Sequence, residues 1–128
     1  MTGLKKEYII YGLSNYREII DAIIEELDAG QHDFDLRLIL TESIANAFRH
    51  GNKLDDTKPI YVRYLYDGWT VQFEIQDSSD CDYDVRIPTG IDDGQLLNEI
   101  GRGLYLINCL ADCVSFANHT CTIRKKLN

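Results

Sequence analysis

Thr41-Glu-Ser-Ile-Ala-Asn-Ala-Phe-Arg-His-Gly-Asn52 is the stretch around which the rest of the chain can be interpreted. On a helix that turns by about 100° per residue, Glu42, Asn46 and Arg49 fall on one stripe. Apolar residues form the opposite face: Leu36, Leu40, Ile44, Ala47 and Phe48. A carboxylate and a carboxamide one turn apart on such a helix could hold a metal ion and a water. The alternative is the solvated side of an amphipathic helix, although apolar residues flank the stripe as well.

A second motif, Gly101-Arg-Gly-Leu104, leads directly into a short amphipathic segment at 105–111. Glycines at the entrance of a helix let the backbone come close to a ligand, and the free N–H groups there favour an anion. Residues 78–100, which come before this motif, contain Pro88, Gly90 and Gly94 and show no sustained period. A loop of about 20 residues in a compact domain is usually a functional lid or a disordered segment. The glycine motif that follows favours a lid.

The remaining segments predict one domain over residues 1–128. Alternation of apolar and polar residues predicts strands at 5–11, 59–66, 70–76, 113–117 and 120–127. Apolar steps of three and four residues predict a helix with Ser14 as its N-cap, a central helix from about Asp33 to His50 that Gly51 closes, and the helix at 105–111. We expect a two-layer α/β (α+β) sandwich, in which three helices cover one face of a mixed, mainly antiparallel sheet.

Charge and composition narrow the classes of partner and site. The net charge of −8 repels a phosphate backbone, so a nucleic-acid partner is disfavoured. No apolar run approaches the ~20 residues of a membrane span, and the start lacks the apolar core of an export signal, so we expect a cytoplasmic protein with no membrane partner. The four cysteines form no Cys-x-x-Cys pair, and in a cytosolic protein we expect reduced, mostly buried thiols. A zinc site at Cys109, Cys113 and His119 is the less favoured alternative.

Taken in order, these pieces resemble the GHKL (Bergerat-fold) ATPases. Among them the chain looks like the small bacterial anti-sigma-factor serine/threonine kinases. The resemblance extends from about Leu36 to Lys126. The segment Glu42–Gly51 matches the N-box of that family, and Gly101-Arg-Gly-Leu104 matches its second glycine box. Two motifs at this separation are more specific than either motif alone.

The resemblance implies roles for three polar side chains. Asn46 would bind the Mg²⁺ that bridges the phosphates of ATP, and Glu42 would act as general base on the attacking hydroxyl or water. Asp77, at the end of the second strand of the hairpin, matches the aspartate that accepts a hydrogen bond from the adenine amino group. The alternative for Asp77 is an ordinary turn residue after a strand.

The resemblance also assigns the phosphate and base contacts. Backbone amides of the motif Gly101, Arg102, Gly103 and Leu104 would hold phosphate oxygens, while the Arg102 side chain would either add positive charge there or project to solvent. Thr120, in preference to Thr122, would lie in the last strand near the adenine. Arg49 and His50 would line the site or stabilise the end of their helix.

One position departs from the family pattern. The first glycine box has the form Asp-x-Gly, whereas this chain has Asp77-Ser-Ser79. Glycine leaves room for the base and tolerates unusual backbone angles, so Ser79 could weaken ATP binding at this contact or rearrange the loop.

For function, the resemblance implies an ATP-binding anti-sigma-type regulator. It would sequester a sigma factor and use Mg-ATP to phosphorylate a serine or threonine of a small antagonist protein. A homodimer is a further expectation, because relatives are often dimers; the uncovered face of the sheet could serve self-association, but the sequence does not locate the interface. A binding-only module without phosphoryl transfer is the alternative that Ser79 favours, and an unrelated α/β interaction domain without a nucleotide is a third.

Overall fold

The computed structural model describes residues 3–80 and 99–128. Its elements in chain order are β1 (Leu4–Tyr11), α1 (Tyr16–Leu27), a 3-10 turn (Gly30–His32), α2 (Asp33–Asn46), a π-helical turn (Ala47–Gly51), β2 (Pro59–Tyr66), β3 (Thr70–Gln76), α3 (Glu99–Leu110), β4 (Cys113–Ala117) and β5 (Thr120–Lys126). Most of the predicted lid at 78–100 lies outside the described residues.

The five strands form one sheet in the order β1-β2-β3-β5-β4. Every pairing among the described strands is antiparallel, and the two-layer fold is confirmed. β4 and β5 are joined by Asn118 and His119, whose φ angles are 53° and 61°. Positive φ at both positions is the geometry of a two-residue hairpin turn whose twist matches the strands.

The core lies between one face of the sheet and the helices. In β2 and β3 the buried side chains alternate with half-buried or exposed ones, as the period of two predicts. The fully buried large side chains come from both layers: Tyr64, Phe73, Ile10, Ile20, Ile23, Leu36, Ile39, Leu40, Ile44, Ile60, Ile75 and Ile107. On the other side of the sheet, which we call the open face, Arg63 forms ion pairs with Glu74 at 3.0 Å and with Glu7 at 3.3 Å.

A polar network fastens α1 to the first two strands. The Glu26 carboxylate accepts hydrogen bonds from Lys6, from Tyr8 and, at 2.7 Å, from the Tyr64 hydroxyl. Burial on its own would raise the pKa of Glu26, but the hydrogen bonds from Lys6, Tyr8 and Tyr64 outweigh it and lower that pKa. Burial, followed by the bond to Glu26, raises the pKa of Tyr64.

The central helix differs from its prediction at the C-terminal end. The α-helix runs over Asp33–Asn46, and the chain then continues as the π-helical turn Ala47–Gly51 instead of as α-helix to His50. The Asn52 N–H donates to the Ala47 carbonyl at 2.8 Å, five residues back, which is the wide turn that defines this geometry. Such turns insert one extra residue and often occur at functional sites.

The N-terminal end of α1 differs from its prediction by one residue. The helix begins at Tyr16 and its N-cap is Asn15, which makes no side-chain cap hydrogen bond, so the assignment of Ser14 as the cap is wrong.

Within residues 3–80 and 99–128, none of the helices has both the length and the apolar character needed to cross a bilayer.

Candidate functional site

Glu42 and Asn46 meet the glycine motif where α2 packs against α3. A Cβ added to Gly103 would lie 2.9 Å from Glu42 Oε2 and 3.3 Å from Asn46 Nδ2. Contacts this short mean that only glycine fits at position 103 without a shift of the Glu42 or Asn46 side chain. The two sequence motifs therefore meet in the structure, where the Glu42 carboxylate and the Asn46 carboxamide both lie against Gly103.

The Asn46 side chain carries a buried polar atom that fits a ligand. Its Nδ2 has no hydrogen-bond partner among the described residues. An unsatisfied buried amide costs about 1–3 kcal/mol, so native proteins usually supply such a group with water, an ion or a ligand. A carboxamide offers an oxygen to a hard cation and N–H groups to a phosphate oxygen, and the neighbouring Glu42 offers a second oxygen ligand. These residues fit Mg²⁺ with a nucleotide phosphate.

Asp77 is a buried carboxylate, which argues against an ordinary turn residue. It follows β3 and is 3% exposed. Its N–H donates to the His119 carbonyl at 3.0 Å, and its Oδ1 accepts the Ser79 N–H at 3.0 Å and lies 3.5 Å from His119 Nδ1. Burying a carboxylate costs much free energy unless polar groups surround it. Here the Ser79 N–H and the His119 ring supply such groups and hold the carboxylate in place.

Gly51 lies against Asp77 and is required there by contact. A Cβ on Gly51 would lie 2.5 Å from Asp77 Cγ and Oδ2. Its φ is not in the left-handed region, so the requirement comes from the carboxylate and not from the backbone conformation. The sequence pattern predicts Gly51 as the end of the helix, and it does not indicate that the Asp77 carboxylate packs against this glycine.

Ser79 fits its position without backbone strain. It is half-buried, its φ is not positive, and its N–H bonds to the Asp77 carboxylate. The conformational freedom of glycine is thus not needed at this position. The departure from the family pattern leaves Asp77 in place, while its effect on ATP affinity stays a prediction.

The second glycine box lies inside α3 and not ahead of it. The helix begins at Glu99, so of this motif only Gly101 has an N–H group among the first four of the helix, which have no partner within it. The Arg102 side chain is exposed, whereas Leu104 is buried in the core. The predicted phosphate contacts of this motif stay predictions.

The side chain next to Asp77 from the β4–β5 hairpin is that of the turn residue His119, not of Thr120. Thr120 pairs with Gln76, and its hydroxyl donates to the Asn118 carbonyl at 3.1 Å. Because Thr120 and Thr122 alternate with the buried Cys121, strand geometry places both threonines toward the open face. The contact of Thr120 with the base stays a prediction, and His119 is the residue that sequence reasoning missed. Its signal was the two-residue turn that sets the hairpin register.

Other candidates lie outside this constellation. Arg49 and His50 are exposed in the π-helical turn.

Cys109 and Cys113 are exposed free thiols and only Cys121 is buried, so the expectation of mostly buried thiols is wrong for two of the three described cysteines. Burial raises the pKa of Cys121 to about 12. In the described part of the chain, no three His, Cys, Asp or Glu residues are arranged to hold a metal ion.

Comparison with known proteins places these features in a family. The model of the histidine kinase-like ATPase domain matches residues 12–125, a range that includes both motifs and Asp77. No curated protein matches the chain. The family match overturns the alternative of an unrelated α/β interaction domain. With the N-box residues, the buried Asp77 and the glycine motif all within the matched range, the chain belongs to the family of histidine kinase-like ATPase domains.

Proposed function

We propose that this chain is an ATP-binding regulator of the anti-sigma type that acts in the cytoplasm. It would transfer the γ-phosphoryl group of Mg-ATP to a serine or threonine of a small antagonist protein and would sequester a sigma factor. Membership of the ATPase-domain family supports ATP binding. The observation that carries the proposal is the buried Asn46 Nδ2, which has no hydrogen-bond partner among the described residues and lies with Glu42 against Gly103. The carboxamide offers an N–H donor to a phosphate and an oxygen to a cation, and the carboxylate beside it offers a base.

The side chains divide the chemistry between them. Asn46 would hold Mg²⁺, which supplies charge neutralisation of the phosphates. Glu42 would accept the proton of the attacking hydroxyl as its oxygen bonds to the γ-phosphorus and the bond to the β–γ bridging oxygen breaks. Asp77, which is buried and restrained by Ser79 and His119, would accept the hydrogen bond of the adenine amino group.

A binding-only module is the second candidate, and one observation favours it. Since α3 begins at Glu99, the N–H groups of Gly103 and Leu104 lie beyond the first four of the helix. Fewer amides are then left for phosphate oxygens than a glycine box ahead of a helix would offer. Such a module would retain its partner surface and lose phosphoryl transfer.

Calorimetric titration with Mg-ATP tests the site. We expect the wild type to bind and Asn46→Ala to weaken binding by tenfold or more, which is about 1.4 kcal/mol. Asn15→Ala is the matched control, because Asn15 is exposed and makes no side-chain cap hydrogen bond. Absence of binding to the wild type would refute the ATP-dependent proposal.

A transfer assay separates the two candidates. Labelled Mg-ATP is incubated with the chain and with a sigma factor and antagonist from the same genome. The kinase proposal predicts phosphate on the antagonist and a rate about 10²-fold lower for Glu42→Gln, with nucleotide binding retained. Partner binding without any transfer by the wild type would instead support the binding-only module.

A further inference from the structure

Asn52 joins three segments of the chain at the candidate site. It is 2% exposed and directly follows the π-helical turn. Its Nδ2 donates to the Lys58 carbonyl at 3.1 Å and to the Pro59 carbonyl at 3.3 Å, and its Oδ1 accepts the Ser78 N–H at 2.7 Å. One buried carboxamide thus connects the end of the α2 segment, the start of β2 and the exit of β3.

These bonds fix the backbone on both sides of the Asp77 carboxylate. The Asp77 N–H is held by the His119 carbonyl, and the next N–H along the chain, that of Ser78, is held by Asn52. Gly51, the neighbour of Asn52, is the surface on which the carboxylate lies. Asn52 therefore connects Gly51, which contacts the Asp77 carboxylate, with the strand segment that carries Asp77. A binding group must be placed within about 0.5 Å of its productive position, and such supporting hydrogen bonds hold it there.

We infer that Asn52 is a positioning residue that aims the Asp77 carboxylate at the amino group of adenine and so sets the preference for an adenine nucleotide. This inference rests on the proposed function, because Asp77 recognises a base only if a nucleotide binds here. Adenine presents an amino donor at its position 6, whereas hypoxanthine presents an oxo acceptor there. A fixed carboxylate accepts a hydrogen bond from the first and repels the second, and a carboxylate that can move loses this discrimination.

The test compares ADP with inosine diphosphate, both with Mg²⁺, by calorimetry. The wild type should bind ADP at least about tenfold more tightly than inosine diphosphate, as expected for a hydrogen bond to a charged group. Asn52→Ala should reduce this ratio to about threefold or less, mainly by weakening ADP binding. Ser78→Ala is the matched control, because it removes the bond from Ser78 Oγ to the Pro59 carbonyl at 2.7 Å but keeps the Ser78 N–H that Asn52 accepts.

A general loss of stability is separated from the positioning role by two further variants. Ile20→Val lowers stability in the core without touching the site and should keep the wild-type ratio. Asn52→Ser is the milder change to use if Asn52→Ala does not fold, and it should also lower the ratio.

An unchanged ratio in folded Asn52 variants would overturn the inference, even if both affinities fell together, because Asn52 would then support the site without aiming Asp77. A ratio that falls equally in Ser78→Ala or Ile20→Val would overturn it as well. No binding of either nucleotide by the wild type would refute the proposed function itself, which is a different result from an unchanged ratio.

Discussion

Replacing Gly51 by alanine tests the closest contact in the site. The new Cβ would lie 2.5 Å from Asp77 Cγ and Oδ2 and 2.6 Å from Asp77 Cβ. Non-bonded carbon atoms are most favourably separated by about 3.5–4.0 Å, so the Asp77 side chain would have to move by about 1 Å. Its hydrogen bond from the Ser79 N–H and its contact with His119 oppose that movement.

The expected cost follows from two opposing effects. Overpacking of this kind costs about 1–3 kcal/mol, and the better helix propensity of alanine offsets up to about 1 kcal/mol of it. We therefore expect Gly51→Ala to lower the free energy of unfolding by about 1–2 kcal/mol, which corresponds to a drop in Tm of roughly 3–10 °C for a domain of this size.

Thermal and urea unfolding in two backgrounds would measure this cost. Asp77→Gly removes all three atoms that the new Cβ would meet, so Gly51→Ala should be neutral or slightly stabilising in that background. The two substitutions should then be coupled by about 1–3 kcal/mol. An equal loss in both backgrounds would refute the reasoning, because the cost would then arise from the backbone of residue 51 and not from contact with Asp77.

Three further predictions concern the glycine motif and the Glu26 network. Gly103→Ala should weaken Mg-ATP binding by about tenfold or more in calorimetry, since its Cβ would lie 2.9 Å from Glu42 Oε2; an unchanged affinity would mean that this space is not used. Tyr64→Phe should lower the free energy of unfolding in urea by about 1–2 kcal/mol, because Glu26 loses one of its three donors, and a change below about 0.3 kcal/mol would contradict that role. The lowered pKa of Glu26 contributes stability that is present above its ordinary value of 4.5 and lost as pH falls through the folded pKa. The difference in unfolding free energy between the wild type and Glu26→Gln should therefore be constant above about pH 5.5 and shrink below pH 4.5, and a difference that grows on acidification would show the opposite sign.

The sheet and the common stripe of Glu42 and Asn46 could be predicted because they depend on local patterns. Alternation in residues 60–66 and 71–75 has a period of two, which leaves only one choice of buried face. Glu42 and Asn46 lie one turn apart within regular α-helix, so their common stripe follows from the helical period alone.

The remaining parts of the site depend on contacts that no local pattern contains. The backbone hydrogen bonds of an α-helix span four residues and those of a π-helical turn span five, and the sequence Ala47–Gly51 is compatible with either. Asn52 acquires its role only through bonds to residues 58, 59 and 78, which come together when β2 and β3 pair. His119 lies beside Asp77 because of the hairpin register, whereas the resemblance directed attention to Thr120.

The π-helical turn makes the number of residues after Asn46 as important as their identity. Gly51 and Asn52 reach Asp77 and Ser78 because the turn accommodates one residue more than an α-helix would. Deleting one residue from Ala47–Gly51 would rotate everything after the deletion by about 100° around the helix axis. Gly51 would then lose its contact with Asp77, and Asn52 would lose its hydrogen bond with the Ser78 N–H. Both losses would occur although every side chain that contacts the carboxylate is still present in the chain. Insertions and deletions in this short segment are therefore expected to be far less tolerated than in the largely exposed loop at residues 53–57, which ends before the Lys58 and Pro59 carbonyls that Asn52 binds.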